Sequence, residues 1–166
     1  MSMQPTPRMQ ETLPVMPIGV LVVDDQPAVR EGVARLIACA PLALRCVSTA
    51  ANGTEALSAA ARLRPDVVVL DVDLAGEDGL DLIAQLRATS RVVVLSSHGD
   101  SATRARARQL GAMAFVEKHE PAAELLGAIV EVATPRSREE EAPGASRTSS
   151  HLLRGDSSDV RSRFDF

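Results

Sequence analysis

Asp66-Val67-Val68-Val69-Leu70-Asp71 is the stretch on which the fold turns. Four consecutive aliphatic residues, three of them β-branched, stand between two carboxylates. A strand with one wet face would alternate; a run apolar at every position reads as a short strand covered on both sides. Pro65 closes the segment before it, and the carboxylate of Asp71 falls where such a strand would leave the core.

Moving outward, the same signature recurs at Ile18–Val23 and at Val92–Leu95, with weaker strands at Cys46–Thr49 and Ala114–Val116. Between them the apolar residues change to helical spacing. Asp24-Asp25-Gln26-Pro27 breaks the first strand and leads into a helix carrying Val29, Val33, Leu36 and Ile37, ended by Pro41. Asn52-Gly53 reads as a turn, and Thr54-Glu55 leads an alanine-rich helix through Leu57 and Leu63. Leu80–Leu86 is amphipathic, Ser101–Leu110 is dense in arginine and stopped by Gly111, and Pro121–Val132 is the last helix. Five strand–helix units of this kind predict an α/β fold: a doubly wound (βα)5 three-layer sandwich around a five-stranded parallel sheet.

Composition is compatible with that architecture. The chain has 166 residues, 45% of them apolar, with no Trp or Tyr and only three Phe, so its core is aliphatic. Residues 1–17 are proline-bearing and aperiodic, and are expected to be a flexible extension. Residues 18–132 form the predicted domain. Residues 133–166 are rich in Ser, Arg, Glu, Gly and Pro and are expected to be disordered. A net charge of -4 without a basic stripe argues against nucleic-acid binding. No apolar run reaches membrane-spanning length. Cys39 and Cys46 are expected to be partly buried thiols of a reducing compartment, which places the chain in the cytoplasm.

In a parallel α/β sheet, chemistry collects at the carboxyl ends of the strands. Asp24 and Asp25 follow the first strand, Asp71 the third, Ser96 the fourth and Lys118 the fifth. Each has a plain alternative when taken singly. Asp24-Asp25 suits a helix cap, Asp71 a turn, and Lys118 a solvated surface. Taken together they predict one pocket in which three carboxylates repel one another and call for a hard divalent cation, Mg2+ or alternatively Mn2+. Asp25 and Asp71 would each give an oxygen, the backbone carbonyl of Asp73 another, and Asp24 would act through water. Asp71 is the candidate nucleophile for phosphorus, Lys118 a point charge for the transferring group, and Ser96 a hydrogen-bond donor to it. Ser97 is small and leaves an approach.

Residues 18–132 resemble the receiver domain of bacterial two-component response regulators. Leu21-Val22-Val23-Asp24-Asp25 is similar to the opening strand and acidic pair, and Val67-Val68-Val69-Leu70-Asp71 to the phosphoacceptor strand. Gly79, eight residues past Asp71, matches a turn glycine. Val93-Val94-Leu95-Ser96-Ser97 resembles the strand with the switch hydroxyl, and Phe115-Val116-Glu117-Lys118 the segment with the aromatic switch residue and the lysine. The resemblance implies a flavodoxin-like strand order, 2-1-3-4-5. It also implies a sensor histidine kinase or histidine phosphotransfer protein as donor to Asp71, with Ser96 drawn to the phosphoryl group and Phe115 moving inward. A downstream effector protein would then dock on the face of the fourth helix, fifth strand and fifth helix, and a homodimer is an open alternative. Such a domain catalyses only its own phosphotransfer and autodephosphorylation, so it is not a conventional enzyme.

The sequence departs from the family pattern in three places. His119 stands where proline usually follows the lysine, so a trans bond is expected there. Asp73 lies two residues beyond the acceptor, and Leu74-Ala75 replaces the common Met-Pro. Asp73, Ser97 and His119 are therefore expected to modulate the site. After Thr134-Pro135-Arg136-Ser137-Arg138-Glu139 no helix-turn-helix periodicity begins, so a stand-alone receiver that signals through a partner is expected, without direct DNA binding. Two rival readings remain. One is a degenerate receiver acting as a protein-interaction module. The other is a haloacid-dehalogenase-like phosphatase, prompted by Asp71-Val72-Asp73, although that motif should sit on the first strand rather than the third.

Overall fold

The computed structural model describes residues 15–134. Most of the expected N-terminal extension and nearly all of the expected C-terminal tail lie outside the described residues.

Among the described residues, five strands of one sheet and five helices alternate as the hydrophobic pattern requires. In chain order they are β1 (Ile18–Val23), α1 (Pro27–Cys39), β2 (Leu44–Ala50), α2 (Gly53–Leu63) and β3 (Val67–Asp71). A two-residue ribbon, β4 (Asp73–Leu74) with β5 (Glu77–Asp78), interrupts the alternation. Then come α3 (Leu80–Leu86), β6 (Arg91–Ser96), α4 (Ser101–Leu110), β7 (Ala114–Glu117) and α5 (Ala122–Ala133). The main sheet is parallel with the order β2-β1-β3-β6-β7, which is 2-1-3-4-5 once the ribbon is set aside.

Alternation along the central strands feeds two cores. Leu21, Val23, Val68, Leu70, Val92 and Val94 face one side and pack on Ala56 and Ala59 of α2, Ile83 and Leu86 of α3, and Ala107 of α4. Val20, Val22, Val67, Val69, Val93 and Leu95 face the other, against Val33 and Ile37 of α1 and Leu125 and Ile129 of α5. Each fully buried Val or Leu contributes roughly 1.5–3 kcal/mol, so both layers are needed to hold the sheet.

Several ends differ from the sequence reading for local reasons. β2 extends to both sides of Cys46–Thr49 because pairing with β1 continues from Leu44 to Ala50, past polar Arg45. Asn52 is a helix cap rather than a turn residue. Its Oδ1 accepts from the Glu55 amide at 2.9 Å while Glu55 Oε2 accepts from the Ala51 amide at 2.8 Å. Asn52→Ala is therefore expected to lower the unfolding free energy by about 1 kcal/mol in a urea titration, with an unchanged slope. Cys39 is exposed at the end of α1, against the expectation of a partly buried thiol, and Cys46 is half-buried; both are free.

Candidate functional site

Strand register alone sets the positions of the site residues. Val23 pairs with Leu70, so the next residues, Asp24 and Asp71, emerge side by side. Asp71 pairs with Leu95, which puts Ser96 one step beyond, and Ser96 pairs with Glu117, which delivers Lys118 to the same edge. The carboxylates of Asp24, Asp25 and Asp71 offer oxygens that all lie within 4.8 Å of one another. Lys118 Nζ donates to Asp71 Oδ2 at 2.8 Å and forms an ion pair with Asp24 Oδ2 at 2.7 Å.

Burial makes this arrangement consequential. Asp24 and Asp71 are each only 2% exposed. Desolvation pushes the Asp71 carboxyl above the ordinary aspartate range. The Lys118 hydrogen bond opposes that shift, the charge of Asp24 adds to it, and the Asp73 amide opposes it again. Burial is also the largest influence on Lys118 and acts to lower its pKa, but the Asp24 and Asp71 carboxylates together overcome it and hold the ammonium above its ordinary value. Three carboxylates thus face one ammonium, and the cluster keeps an excess of negative charge.

Neither aspartate of the acidic pair caps α1, whose N-cap is Gln26 without a side-chain bond. Asp24 Oδ1 instead accepts from the Gln26 amide at 2.9 Å, and Arg30 Nη1 donates to the Asp24 carbonyl at 2.7 Å. Asp24 Oδ2 is buried, and its contact is the Lys118 ammonium at 2.7 Å. Three carboxylates with oxygens this close are a set of hard donors that fits a divalent cation such as Mg2+.

The ribbon forms the rim. Ala75 and Gly76 both have positive φ, 44° and 92°, as a two-residue hairpin turn of the mirror-image type requires. Alanine is disfavoured there, and Asp25 Oδ2 holds its amide at 3.2 Å. Gly79 approaches so closely that a Cβ would overlap the Asp71 carbonyl oxygen, so the backbone of Asp71 leaves no room for a side chain there. The Asp73 amide donates to Asp71 Oδ1 at 3.2 Å, while its own carboxylate is exposed.

The remaining predicted residues surround the cluster rather than join it. Ser96 is buried at the edge, but its hydroxyl donates to the His98 carbonyl at 2.8 Å and accepts from the His98 amide at 3.1 Å. Ser97 is exposed. His119 is exposed, with Nε2 3.1 Å from Glu117 Oε2, and no peptide bond among the described residues is cis. Phe115 is already buried, 8% exposed, rather than displayed outward.

A profile of the response regulator receiver domain matches residues 20–130, about two thirds of the chain and all of the site. The chain belongs to the response regulator receiver domain family. Among its relatives, the nitrate/nitrite response regulator protein NarL of Escherichia coli K12 is 33% identical over 120 residues, covering 70% of this chain and 55% of NarL. A protein-glutamate methylesterase/protein-glutamine glutaminase of Anaeromyxobacter dehalogenans is 43% identical over 105 residues, 62% of this chain and 30% of that one. The crystal structure of a two-component response regulator of the LuxR family from Aurantimonas sp. SI85-9A1 superposes with a TM-score of 0.67 at 33% identity, covering 70% of this chain and 85% of that one. This receiver thus spans about half the length of the first relative and under a third of the second. Receiver domains are phosphoacceptors rather than conventional enzymes.

Sequence reasoning missed the surroundings of Phe115 in this receiver. Arg104 of α4 lies over the Phe115 ring, 4.5 Å from its centroid, and pairs with Glu117 at 2.5 Å. The only sequence signal is an arginine-dense helix, which gives no partner. No helix among the described residues is long and apolar enough to cross a membrane.

Proposed function

We propose that this domain accepts one phosphoryl group on Asp71 from a phosphohistidine, in a reaction that depends on Mg2+ or Mn2+, and signals by binding a partner protein. The observation that carries this reading is a buried carboxylate with a raised pKa, bonded to Lys118 and flanked by two further carboxylates at the end of the central strand.

The unit that does this is residues 18–132. An oxygen of Asp71 attacks phosphorus, forming the O–P bond of an acyl phosphate. The P–N bond of the donor breaks, and its electron pair leaves with the imidazole. Lys118, already bonded to Asp71 Oδ2, turns its charge to an oxygen of the incoming group, and the exposed Ser97 leaves the approach open. Asp25, Asp71 and the carbonyl of Asp73 are the residues to hold the cation, with Asp24 acting through water. The ion would offset negative charge that the ammonium alone leaves uncompensated. Water entering the same path hydrolyses the acyl phosphate, and the Asp73 carboxylate at the rim and His119 beside Glu117 modulate that step.

The donor is a sensor histidine kinase or a histidine phosphotransfer protein, and the setting is the cytoplasm. Output runs through an effector on the face of α4, β7 and α5, with dimerisation on that face as the other outcome, and direct DNA contact by this domain is not part of it.

Acetyl phosphate with Mg2+ is expected to add one phosphoryl group by intact mass, and EDTA to abolish the addition. Borohydride reduction of the adduct should leave homoserine at position 71 on peptide sequencing by mass spectrometry. Homoserine elsewhere would refute the assignment. No adduct under any condition would favour the interaction-module reading, and turnover of assorted phosphoesters the phosphatase reading.

A further inference from the structure

The Ser96 hydroxyl donates its one proton to the His98 carbonyl and accepts from the His98 amide, so turning it toward a phosphoryl oxygen on Asp71 means giving up both of its ties to the segment after β6. One side chain ties that segment down. Arg104 Nε donates to the Gly99 carbonyl at 3.0 Å, its Nη2 meets Glu117 Oε1 at 2.5 Å, and its guanidinium covers the Phe115 ring. The pair is about four-fifths sequestered, with side chains 23% and 20% exposed. Gly99 is part of the same fit, since a Cβ there would overlap Glu117 Oε1 and crowd Arg104 Nη2. A single guanidinium therefore joins three parts: the segment that follows Ser96, the ring of Phe115, and the residue next to Lys118.

We propose that Arg104 is a positioning residue of the phosphoacceptor site, a clamp on Gly99, Phe115 and Glu117 that holds the segment after β6 where the Ser96 hydroxyl is spent on His98. The inference rests on the phosphoacceptor reading. Any ligand that draws Ser96 toward Asp71 must release the clamp, and its observed affinity is lowered by the free energy of that release. Removing the clamp tightens such a ligand, whereas removing a merely structural contact does not.

Beryllofluoride, which mimics a phosphoryl group on a carboxylate, is the probe, titrated calorimetrically in saturating Mg2+. Arg104→Ala is expected to bind it about three- to tenfold more tightly than the unaltered chain, the range of a partly exposed charge-assisted pair. Binding of Mg2+ alone should be unchanged. Glu117→Gln keeps the shape of its side chain and should act in the same direction, and the double variant should gain nothing further. Glu117→Gln also serves if Arg104→Ala fails to fold. Unchanged or weaker beryllofluoride binding in both variants would overturn the clamp while leaving the phosphoacceptor reading in place. Failure of the unaltered chain to bind beryllofluoride with Mg2+ would overturn that reading and the clamp with it.

Discussion

Asp71→Asn is expected to abolish phosphoryl uptake and, in the same molecule, to raise the stability of the metal-free domain. Asparagine has no carboxylate to form the acyl phosphate, so uptake should fall to zero rather than weaken. The stability gain follows from the environment of the carboxylate. Asp71 is 2% exposed, and burial reinforced by the Asp24 charge pushes its pKa up in the folded state. A group that binds its proton more tightly folded than unfolded favours the fold at low pH and loses that contribution as pH rises through the folded value. At neutral pH the charge on Asp71 therefore opposes folding. Asparagine keeps the shape of the side chain, and its single amide oxygen can still accept from Lys118 though no longer also from the Asp73 amide, so one long 3.2 Å bond is lost while the repulsion goes. On the order of 1 kcal/mol is expected, a few degrees in the melting temperature measured in EDTA. Excess Mg2+ should narrow or reverse the difference, because the native triad gains more from the cation. A variant less stable than the native chain in EDTA would contradict this electrostatic account.

That trade explains why the site could be read from sequence ahead of its details. Val67–Leu70, Val20–Val23 and Val92–Leu95 are apolar at every position because both faces of the sheet are covered, and few other local environments demand that pattern. Once the strands are parallel, the polar residue ending each one must appear at the same edge. Asp24, Asp71, Ser96 and Lys118 were legible for that reason. Their mutual distances were not, because these follow from the pairings Val23 with Leu70 and Ser96 with Glu117, which no local pattern encodes.

The misses share a physical cause. The ribbon Asp73–Leu74 with Glu77–Asp78 is too short to show a period, and Ala75 takes a positive φ that a sequence would normally advertise with Gly or Asn. The conformation is supported from outside, by Asp25 Oδ2 on the Ala75 amide and by Glu77 Oε2 on the Gly53 amide at 3.2 Å. Arg104 was equally silent, since its partners Gly99, Phe115 and Glu117 come from two other segments. Ser96 ends its strand as the apolar run before it implies, but the direction of its hydroxyl depends on a local turn to His98.

Lys118→Met should show the opposite balance, and by a larger margin. The methionine fills the same space, but Asp24 and Asp71 then lie buried together with no cation beside them. Removing one partner of a buried ion pair is worth about 3–5 kcal/mol. Because the lysine side chain here is 16% exposed, about 2–4 kcal/mol is the expected loss in EDTA. Against a typical total of about 5–15 kcal/mol, that brings the metal-free domain toward marginal stability. The sign agrees with the lysine's own titration. Its folded pKa is raised, so its contribution is complete at neutral pH and is lost only as pH climbs through that raised value. Mg2+ should restore about 1.4 kcal/mol for every tenfold excess over its dissociation constant, making the variant far more metal-dependent than the native chain. Phosphoryl uptake should stay low even when Mg2+ has recovered the fold, because the charge meant for the transferring group is gone. Pairing the substitution with Asp71→Asn removes one of the stranded carboxylates, and that double variant should regain most of the stability in EDTA. Urea titrations of the four proteins with and without Mg2+ measure these differences. Equal stability of Lys118→Met and the native chain in EDTA would mean that the ammonium does not hold the two carboxylates together.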